Sequence, residues 1–395
     1  MSISSVIKPV ALMLSGSFRS FQNAFILPFV SWQVYLSSDS VTAVAYTIAL
    51  GQLVILLTSS LTKRLVRPEH AALIVVAFDL FRFLVLLVYS FLPVALQFLA
   101  LPVVFCLNTG FYVPISVSMK VLSKTDVLDK HLHLFNVLLG NLRIAAMLIG
   151  GLSAGLIIAH LGALGQSVTV SLIGLLPLLC SVLYNCLSRS TRSAAGEATQ
   201  PEEAPGKFRL AKLKPHLKLL LVWVLIADSF IILFDAYFPV FADQVFAGDT
   251  RLFGVADFFV GIGGIIGGHV GWLFIRYLDR QALGMMVVAF LAVFFALKFV
   301  ILPIPFIVAV TLIGLAYEVS VILLSQIQKE TPRQHQAAMH STFYTINSLM
   351  VITLVLLNQI AGVSASALIV FGIVLVLGSM TFLRLRDAEF ERATR

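Results

Sequence analysis

Charged side chains inside long apolar stretches are the residues of this chain with the means to do chemistry. A charge placed among apolar side chains is costly, so it should face a partner, water or a bound molecule. Nine residues have this position: Arg19, Arg82, Arg143, Lys298, Asp79, Asp228, Asp235, Asp257 and Glu318. Their types indicate recognition of charged groups and transfer of protons.

Two of the arginines suit the binding of an oxyanion. Arg19 lies about one helical turn from Gln22 and Asn23, and Arg143 follows Asn136 in another apolar stretch. A planar guanidinium group donates two parallel hydrogen bonds to a carboxylate or phosphate. We therefore expect these five residues to line a site for a molecule that carries such a group. The alternative is that each arginine satisfies a helix carbonyl or pairs with an acid in the opposite half of the chain.

The acidic residues are candidates for proton transfer. Asp228 and Asp235 are seven residues apart, which places them on one helix face, and Glu318 follows Tyr317. A carboxyl group removed from water can take up and release a proton reversibly. We expect Asp235 or Glu318 to carry a proton, with Asp228 next. The alternative is a structural ion pair with one of the two arginines.

Asp79 and Arg82 form a separate pair of charges. They are three residues apart, so they share a helix face and can pair with each other. We expect this pair to have a structural role.

The sequence does not favour an enzyme. An active site within the membrane needs a nucleophile, a base and an orienting group that converge, and the histidines are scattered near predicted helix ends. The three cysteines lie in apolar stretches and form no Cys-x-x-Cys pair, which argues against a zinc site or a disulfide framework. We expect no metal and no cofactor.

Long apolar helices must position these residues. Of the 395 residues, 59% are hydrophobic and 12% charged, too few charges to coat a soluble domain. Continuous apolar runs of about 20 residues predict membrane-spanning helices. We place spans near 8–36, 40–62, 71–91, 94–119, 132–160 and 164–187, and near 217–245, 252–275, 282–302, 305–327, 338–360 and 364–384. The predicted fold is an all-α polytopic membrane protein with about twelve transmembrane helices in two six-helix bundles.

The polar stretch in the middle of the chain divides it into halves. We predict an N-terminal bundle over 1–187, a cytoplasmic linker over 188–215 and a C-terminal bundle with a short tail over 216–395. Most of the 27 basic residues fall in the linker and in alternate loops, which predicts that both termini are cytoplasmic. This distribution also explains the net charge of +8 without nucleic acid.

Several short motifs give the chain a family resemblance. Span one ends in Trp-Gln-Val-Tyr at 32–35, and the loop after span two keeps Arg64 and Arg67. Span three has Asp79-x-x-Arg82, and span five has a glycine run beginning at Gly150. Further matches are Tyr112-Val-Pro114, Lys124-Thr-Asp126, Gln326, Thr331-Pro332-Arg333 and Asn347. On these motifs the chain resembles the major facilitator superfamily, and within it the drug:proton antiporter branch of macrolide, enterobactin and lysophospholipid transporters. The chain departs from that branch at Asn23 and Lys63, where the branch has Asp.

The resemblance implies a secondary active transporter in a bacterial inner membrane, working by rocker-switch alternating access with a site between the bundles. It implies proton-coupled export of a small organic anion or amphiphile, with a siderophore as the first choice. A multidrug efflux pump, a lysophospholipid transporter or flippase, and a sensor that binds without transport are the alternatives. We expect a monomer whose partners are its substrate, protons and the lipid bilayer. The candidate substrate-binding residues are Arg19, Gln22, Asn23, Asn108, Tyr112, Asn136, Arg143, Tyr237, Tyr344 and Asn347. The candidate gating residues are Arg64, Asp79 and Arg82.

Overall fold

The computed structural model describes residues 4–67, 69–126, 129–194, 215–277, 302–331, 335–357 and 359. These residues form long helices joined by short turns. Ten of the twelve predicted spans fall within this part of the chain, apart from residues 358 and 360, and their described residues are helical except for Ser40. The predicted spans near 282–302 and 364–384 lie outside the described residues, apart from Leu302.

The helices are numbered here in chain order. They are α1 (Ser4–Ser38), α2 (Val41–Leu65), α3 (Ala71–Phe91), α4 (Val94–Asp126), α5 (Asp129–His160), α6 (Ala163–Ala194), α7 (Pro215–Phe246), α8 (Thr250–Tyr277), α9 (Pro303–Glu330) and α10 (Gln336–Leu357).

Most of these helices can cross a bilayer. Eight of them contain a segment long and apolar enough to span a membrane, and α7 gives a ninth if its two bent segments count as one span. α1 is 35 residues long but is not among the eight. Its polar residues Arg19, Gln22, Asn23 and Gln33 lower its hydropathy, which is the expected pattern for a helix with a polar inner face.

Several helices are longer than predicted. The sequence analysis ended span six at 187 and began the linker at 188, whereas α6 continues to Ala194. Apolar length marks the part of a helix that lies in hydrocarbon, while backbone hydrogen bonding continues into the polar interface. Residues 195–214 of the predicted linker lie outside the described part of the chain.

Two short turns have backbone conformations that suit their residues. Asp39 lies between α1 and α2 with φ +48°, in the left-handed region that aspartate tolerates. The next residue, Ser40, caps α2, and its hydroxyl accepts a hydrogen bond of 3.3 Å from the Ala43 amide. Between α7 and α8, Ala247 and Gly248 have φ +50° and +82°. Both turns reverse the chain within a few residues.

Pro239 explains the bend in α7. The segments Leu220–Phe234 and Tyr237–Phe246 meet at 52°. Proline lacks an N–H group, and its ring meets the carbonyl four residues before it, which is that of Asp235. The bend therefore falls where the proline interrupts the helix.

The helices pack as two interlocking groups. Within the N-terminal group, α1 contacts α4, α5 and α6, while α3 contacts α4 and α6, and α2 contacts α4. Among the later helices, α9 contacts α7 and α8. The two groups meet where α5 packs on α8 and where α1 and α2 pack on α7.

The turns that follow α1, α5 and α7 share one end of the molecule, called here the α1/α2 end. Tyr35 near the end of α1 donates a hydrogen bond of 3.0 Å to Asp243 near the end of α7. Thr42 at the start of α2 contacts Gln359, with 3.2 Å between their oxygens. The opposite end, called here the α2/α3 end, carries the turn at residues 66–70.

Trp32 joins the apolar cores of the two groups. It is completely buried and lies 4.5 Å from Phe253 between ring centroids. Although it belongs to α1, it packs in the cluster formed by α7, α8, α9 and α10. Conversely, Tyr237 of α7 and Val351 of α10 pack in the core of the N-terminal group. The cores are therefore shared across the boundary that the sequence places at the linker.

Glycines allow α8 to approach its neighbours at backbone distance. A Cβ atom on Gly263 would collide with the Thr311 carbonyl of α9, and one on Gly314 would collide with the Val260 carbonyl of α8. On another face of α8, Gly254 meets Gly155 of α5. Small residues permit this close packing in membranes, so α8 is held between two helices.

Replacing Gly314 by Val should push α8 and α9 apart and destabilise the protein. Overpacking of this kind costs about 1–3 kcal/mol, and we expect the apparent melting temperature in detergent to fall by about 5 °C or more. Gly140→Ala is the matched control, because no atom lies within 4 Å of a Cβ built there. Equal melting temperatures for Gly314→Val and wild type would contradict the close α8–α9 contact.

Candidate functional site

A buried ion pair organises the interior of the N-terminal group. The Arg19 side chain on α1 and the Asp79 side chain on α3 are 2% and 1% exposed. Arg19 Nε donates to both Asp79 oxygens at 3.0 Å, and its Nη2 donates to Oδ2 at 2.6 Å. This bidentate geometry is the strongest form of an arginine–carboxylate contact. It neutralises both charges inside the bundle.

The predicted pairing of Asp79 with Arg82 is wrong. The carboxylate of Asp79 is bound by Arg19. Arg19 lies 60 residues earlier in the sequence, on α1, and the packing of the helices places it beside Asp79. Sequence spacing identifies neighbours on one helix, but it does not identify a competing partner on another helix. The predicted gating role of Asp79 and Arg82 stays a prediction.

Arg82 is held by polar side chains from two other helices. Its Nε donates to Asn108 Oδ1 at 2.9 Å, and its Nη2 donates to Asn23 Oδ1 at 2.5 Å. Gln22 donates to the same Asn108 oxygen at 3.4 Å. The guanidinium carbon lies 5.6 Å from the centroid of the Tyr112 ring. Four predicted substrate-binding residues are thus close to Arg82, which lies about one helical turn along α3 from Asp79 of the buried ion pair.

A second charged cluster lies between the two groups of helices. Arg143 of α5 donates from Nε to Ser20 Oγ at 3.2 Å. The same guanidinium group interacts electrostatically with Glu318 of α9 and with three tyrosine hydroxyl groups. These tyrosines are Tyr112 of α4, Tyr317 of α9 and Tyr344 of α10. We refer to Arg143, Glu318 and the three tyrosines as the central cluster.

Asp228 of α7 extends this polar region. Its Oδ1 accepts a hydrogen bond of 3.2 Å from Ser320, and it interacts electrostatically with Lys120 of α4. The neighbouring Ser229 donates to Asn347 Oδ1 at 2.7 Å. The N-terminal group therefore contributes cations and the later helices contribute carboxylates, so opposite charges face one another across the boundary.

Further hydrogen bonds connect α4 with α10. Ser116 and Tyr344 have hydroxyl oxygens 2.9 Å apart, and Lys120 Nζ lies 3.0 Å from His340 Nδ1. The other ring nitrogen of His340 lies 2.5 Å from Gln328 Nε2. Predicted span four ended at residue 119, which placed Lys120 in a cytoplasmic loop. His340 was not among the predicted site residues. In the structure α4 extends to Asp126 and includes Lys120. The sequence signal for this was that Lys120 follows the apolar part of span four almost directly.

Helices α2 and α10 are joined by a ladder of small polar side chains. Ser59 and Thr345 have hydroxyl oxygens 2.8 Å apart, and the Ser341 hydroxyl donates to the Ser59 carbonyl. Closer to the α1/α2 end, Ser348 donates to Gln52 at 3.1 Å. The α10 positions repeat at intervals of four and three residues, as expected for one face of a helix.

The other predicted site residues lie apart from the central cluster or outside the described side chains. Tyr237 is buried in the apolar core, 6.3 Å from Phe241 between ring centroids. Arg64 is exposed near the end of α2. The side chains of Asn136 and Asp235 lie outside the described part of the structure, so their predicted roles stay predictions.

Sequence analysis missed a short motif in α5. Residues 151–155 read Gly-Leu-Ser-Ala-Gly, which has the Gly-x-Ser-x-Gly spacing of hydrolase nucleophiles. Such a nucleophile sits on a sharp turn between a strand and a helix, whereas Ser153 lies within the continuous helix α5. No described histidine or carboxylate donates to or accepts from its hydroxyl. The position of the motif therefore gives no support to a hydrolase.

The described residues offer no cluster of metal ligands. Within them, no three or more His, Cys, Asp or Glu side chains are grouped so that they could hold a metal ion.

Comparisons with known proteins identify the fold. No protein family and no curated protein matches the sequence. Solved structures do match. A bacterial homologue of the iron transporter ferroportin, in an outward-facing state with soaked iron, is 17% identical with a TM-score of 0.63, over 94% of this chain and 97% of that one. The nucleoside transporter NupG is 10% identical with a TM-score of 0.63, over 95% and 98%. A bacterial metal transporter is 15% identical with a TM-score of 0.58, over 95% and 97%. The chain therefore shares the all-helical, polytopic fold of these membrane transporters.

Removing one partner of the buried ion pair should destabilise the protein strongly. Asp79→Asn leaves the Arg19 charge buried without a counter-ion, which costs about 3–5 kcal/mol. The double variant Arg19→Gln, Asp79→Asn removes both charges and should recover part of this loss. Thermal unfolding in detergent measures both effects, and Asp39→Asn is the matched control, because Asp39 is exposed and asparagine accepts its positive φ. If the double variant were as unstable as the two single changes added together, the pairing would be disproved.

Proposed function

We propose that this protein is a secondary active transporter that moves a small organic anion or zwitterionic amphiphile by alternating access. One observation carries the proposal. Charged and aromatic side chains from both groups of helices converge on Arg143 and Glu318, deep within the membrane-spanning part of the bundle. A site that both halves share can be exposed to either side when the halves rock.

The proposed orientation places the α2/α3 end in the cytoplasm. This end carries Arg64 and Arg67, as well as the helix ends next to the basic linker. Positively charged loops favour the cytoplasmic side, so this orientation also places both predicted termini there. The α1/α2 end then faces outward from a bacterial inner membrane.

Arg143 is the proposed anchor for the substrate. Its guanidinium group has donors besides the Nε that binds Ser20, and it faces aromatic side chains. A carboxylate or phosphate group would accept hydrogen bonds from it, while the tyrosine rings would cover apolar parts of the substrate. Arg19 is already paired with Asp79, which supports a structural role in place of the direct contact expected from the sequence.

Glu318 is the proposed proton carrier. Its carboxylate interacts electrostatically with Arg143, and we propose that it balances the arginine charge in the absence of substrate. An anionic substrate competes for the same guanidinium group, and a displaced carboxylate within the membrane is costly unless it takes up a proton. Binding of the anion and protonation of Glu318 are thereby linked. Asp228, which faces Lys120 and Ser320, is the second proposed carrier.

Two sets of contacts are the proposed gates. At the α1/α2 end, Tyr35 bonds to Asp243 and Trp32 packs on Phe253. Towards the α2/α3 end, Lys120 contacts His340. Each set joins helices of opposite groups, so opening one side requires breaking one set while the other set keeps the halves together.

The substrate is proposed to be a polycarboxylate such as a siderophore, with a drug or a lysophospholipid as alternatives. The solved transporters that match in fold concern iron and nucleosides, so these belong among the test compounds. A sensor that binds the same molecules without moving them remains an alternative of another class, and transport itself discriminates between the two.

Inverted membrane vesicles with an imposed proton gradient test the proposal. Carboxylate siderophores, macrolides, lysophospholipids, a nucleoside and Fe²⁺ are supplied one at a time, while substrate uptake and gradient dissipation are followed. We expect uptake of an anionic or zwitterionic compound, reduced at least about tenfold in Arg143→Gln because the charge-assisted hydrogen bonds are lost. Arg251→Gln is the matched control, since Arg251 is exposed near the proposed outer surface. Absence of flux for every compound would refute the proposal.

Glu318→Gln should separate transport from the proton gradient. The amide has nearly the shape of the acid but cannot exchange a proton, so we expect downhill exchange of substrate to persist while gradient-driven accumulation falls to the level of empty vesicles. The pH dependence of exchange should flatten as well. Accumulation by Glu318→Gln at the wild-type level would exclude this residue as the carrier and move the assignment to Asp228.

A further inference from the structure

Asp257 is a charged residue of the membrane interior that the proposed site does not use. It lies in α8, in the segment Thr250–Val270 that is apolar enough to span a membrane. Its carboxylate oxygen Oδ2 occupies the space that a Cβ atom on Gly151 of α5 would need. The side chain is therefore pressed against the backbone of the opposite group of helices.

No described residue neutralises this carboxylate. Among the parts of the chain that the structure describes, none donates a hydrogen bond to Asp257 and none forms an ion pair with it. The described titratable and charged side chains of the helices around it are Arg143 and His160 on α5, Arg251 and His269 on α8, Lys218, Asp228, Tyr237 and Asp243 on α7, and Tyr317, Glu318 and Glu330 on α9. Asp257 is partly buried, and its carboxylate lies against the α5 backbone.

The contact belongs to a continuous seam between α5 and α8. Gly254, Asp257 and Gly261 repeat at intervals of three and four residues, so they share one face of α8. A Cβ atom on Gly155 would lie 2.7 Å from the Gly254 Cα, and Leu148 fills the space beside Gly261. The two helices are thus in close contact on both sides of the carboxylate along α8, and the carboxylate itself lies directly against Gly151.

Closure of this seam has a requirement that follows from elementary electrostatics. A carboxylate transferred from water to an apolar contact without a counter-ion is strongly destabilised, whereas the neutral acid is tolerated. The seam lies towards the α1/α2 end, about seven residues from the start of α8. The proposed alternating access requires that end to open, which would separate α5 from α8 and expose the group to water.

We propose that Asp257 is a second proton-binding site, which must take up a proton before α5 and α8 can close at the α1/α2 end. The proposal rests on alternating access in the proposed function, but it does not require any particular substrate. Protonation from the outer side permits closure, and loss of the proton favours the open seam.

This site is distinct from Glu318. The Cγ atom of Glu318 lies 3.5 Å from a Cβ built on Gly264, and residue 264 is two turns from residue 257, or about 10 Å along the helix. Leu148 packs against Gly261 between the two positions. The two acids therefore bind protons separately in the closed seam, one next to the substrate site and one at the outer closure.

Distance measurements across the α1/α2 end test the proposal. Spin labels are attached at Leu164→Cys and Ala247→Cys, both exposed and on opposite groups, in full-length protein in lipid nanodiscs. Cys106, Cys180 and Cys186 are replaced by Ser in this background. Pulsed electron spin resonance then records the label distance from about pH 5 to about pH 9, a range that brackets the titration of a desolvated carboxyl, without substrate.

We expect a short distance at acidic pH and a growing population of longer distances as the pH rises, since the ionised carboxylate opposes closure. Asp257→Asn should give the short distance throughout, with at least about a tenfold loss of the longer population at the alkaline limit. Asp257→Ser, a second neutral variant, should do the same if the amide impairs folding. Asp249→Asn is the matched control, because this acid is exposed at the same end and should leave the pH dependence unchanged.

Two results would overturn the proposal. One is a wild-type distance that does not change with pH, and the other is a pH dependence that survives in both neutral variants of Asp257. Neither result depends on flux. A protein that moves none of the test compounds but shows the expected distances would refute the proposed function and leave this inference intact.

Discussion

The cost of placing a charge in hydrocarbon is the constraint on which the rest of this structure depends. Every ionised side chain described within the bundle must find a counter-ion, a set of hydrogen-bond partners or a proton. Arg19 finds Asp79 within one group of helices, and Arg82 finds amide oxygens and an aromatic ring. Arg143 interacts electrostatically with Glu318 on the other group. The helix faces that carry these charges therefore turn inward, because a charged side chain needs a partner that the hydrocarbon cannot supply.

Counter-ions that lie across a movable boundary behave differently from those within one group. The Arg19–Asp79 pair joins two helices of one group and stays intact in the proposed rocking of the halves, whereas the charges of Arg143 and Glu318 belong to different groups and are the proposed sites of exchange for substrate and proton. The tight backbone packing of α8 on α9 keeps Glu318 in a fixed relation to the α5 seam. A rigid pair of helices can therefore transmit a change at the central cluster to the α5 seam, as the proposed function requires.

Apolar length and loop charge made the helical fold predictable, and the contacts between helices were not predictable in the same way. Ten spans were located to within a few residues, except where helices continue past the hydrocarbon, as α6 does. The residue types that belong in the interior were also identifiable, since a charge in an apolar stretch is conspicuous. Their partners were not, because Asp79 lies 60 residues from Arg19 and closer in sequence to Arg82. Lys120 was assigned to a loop because the end of a helix leaves little trace in composition.

The position of Trp32 has a consequence for biosynthesis. Its indole ring is wholly enclosed, yet much of the enclosing wall, including Phe253, is encoded more than 200 residues later. At a translation rate of about 5–20 residues per second, α1 resides in the membrane for about 10–40 s before α8 emerges from the ribosome. During that interval lipid tails must occupy the groove that later accepts the partner helices. Insertion and maturation are therefore separate events for this chain, and the nascent N-terminal helices stay incomplete until the second half has been threaded in.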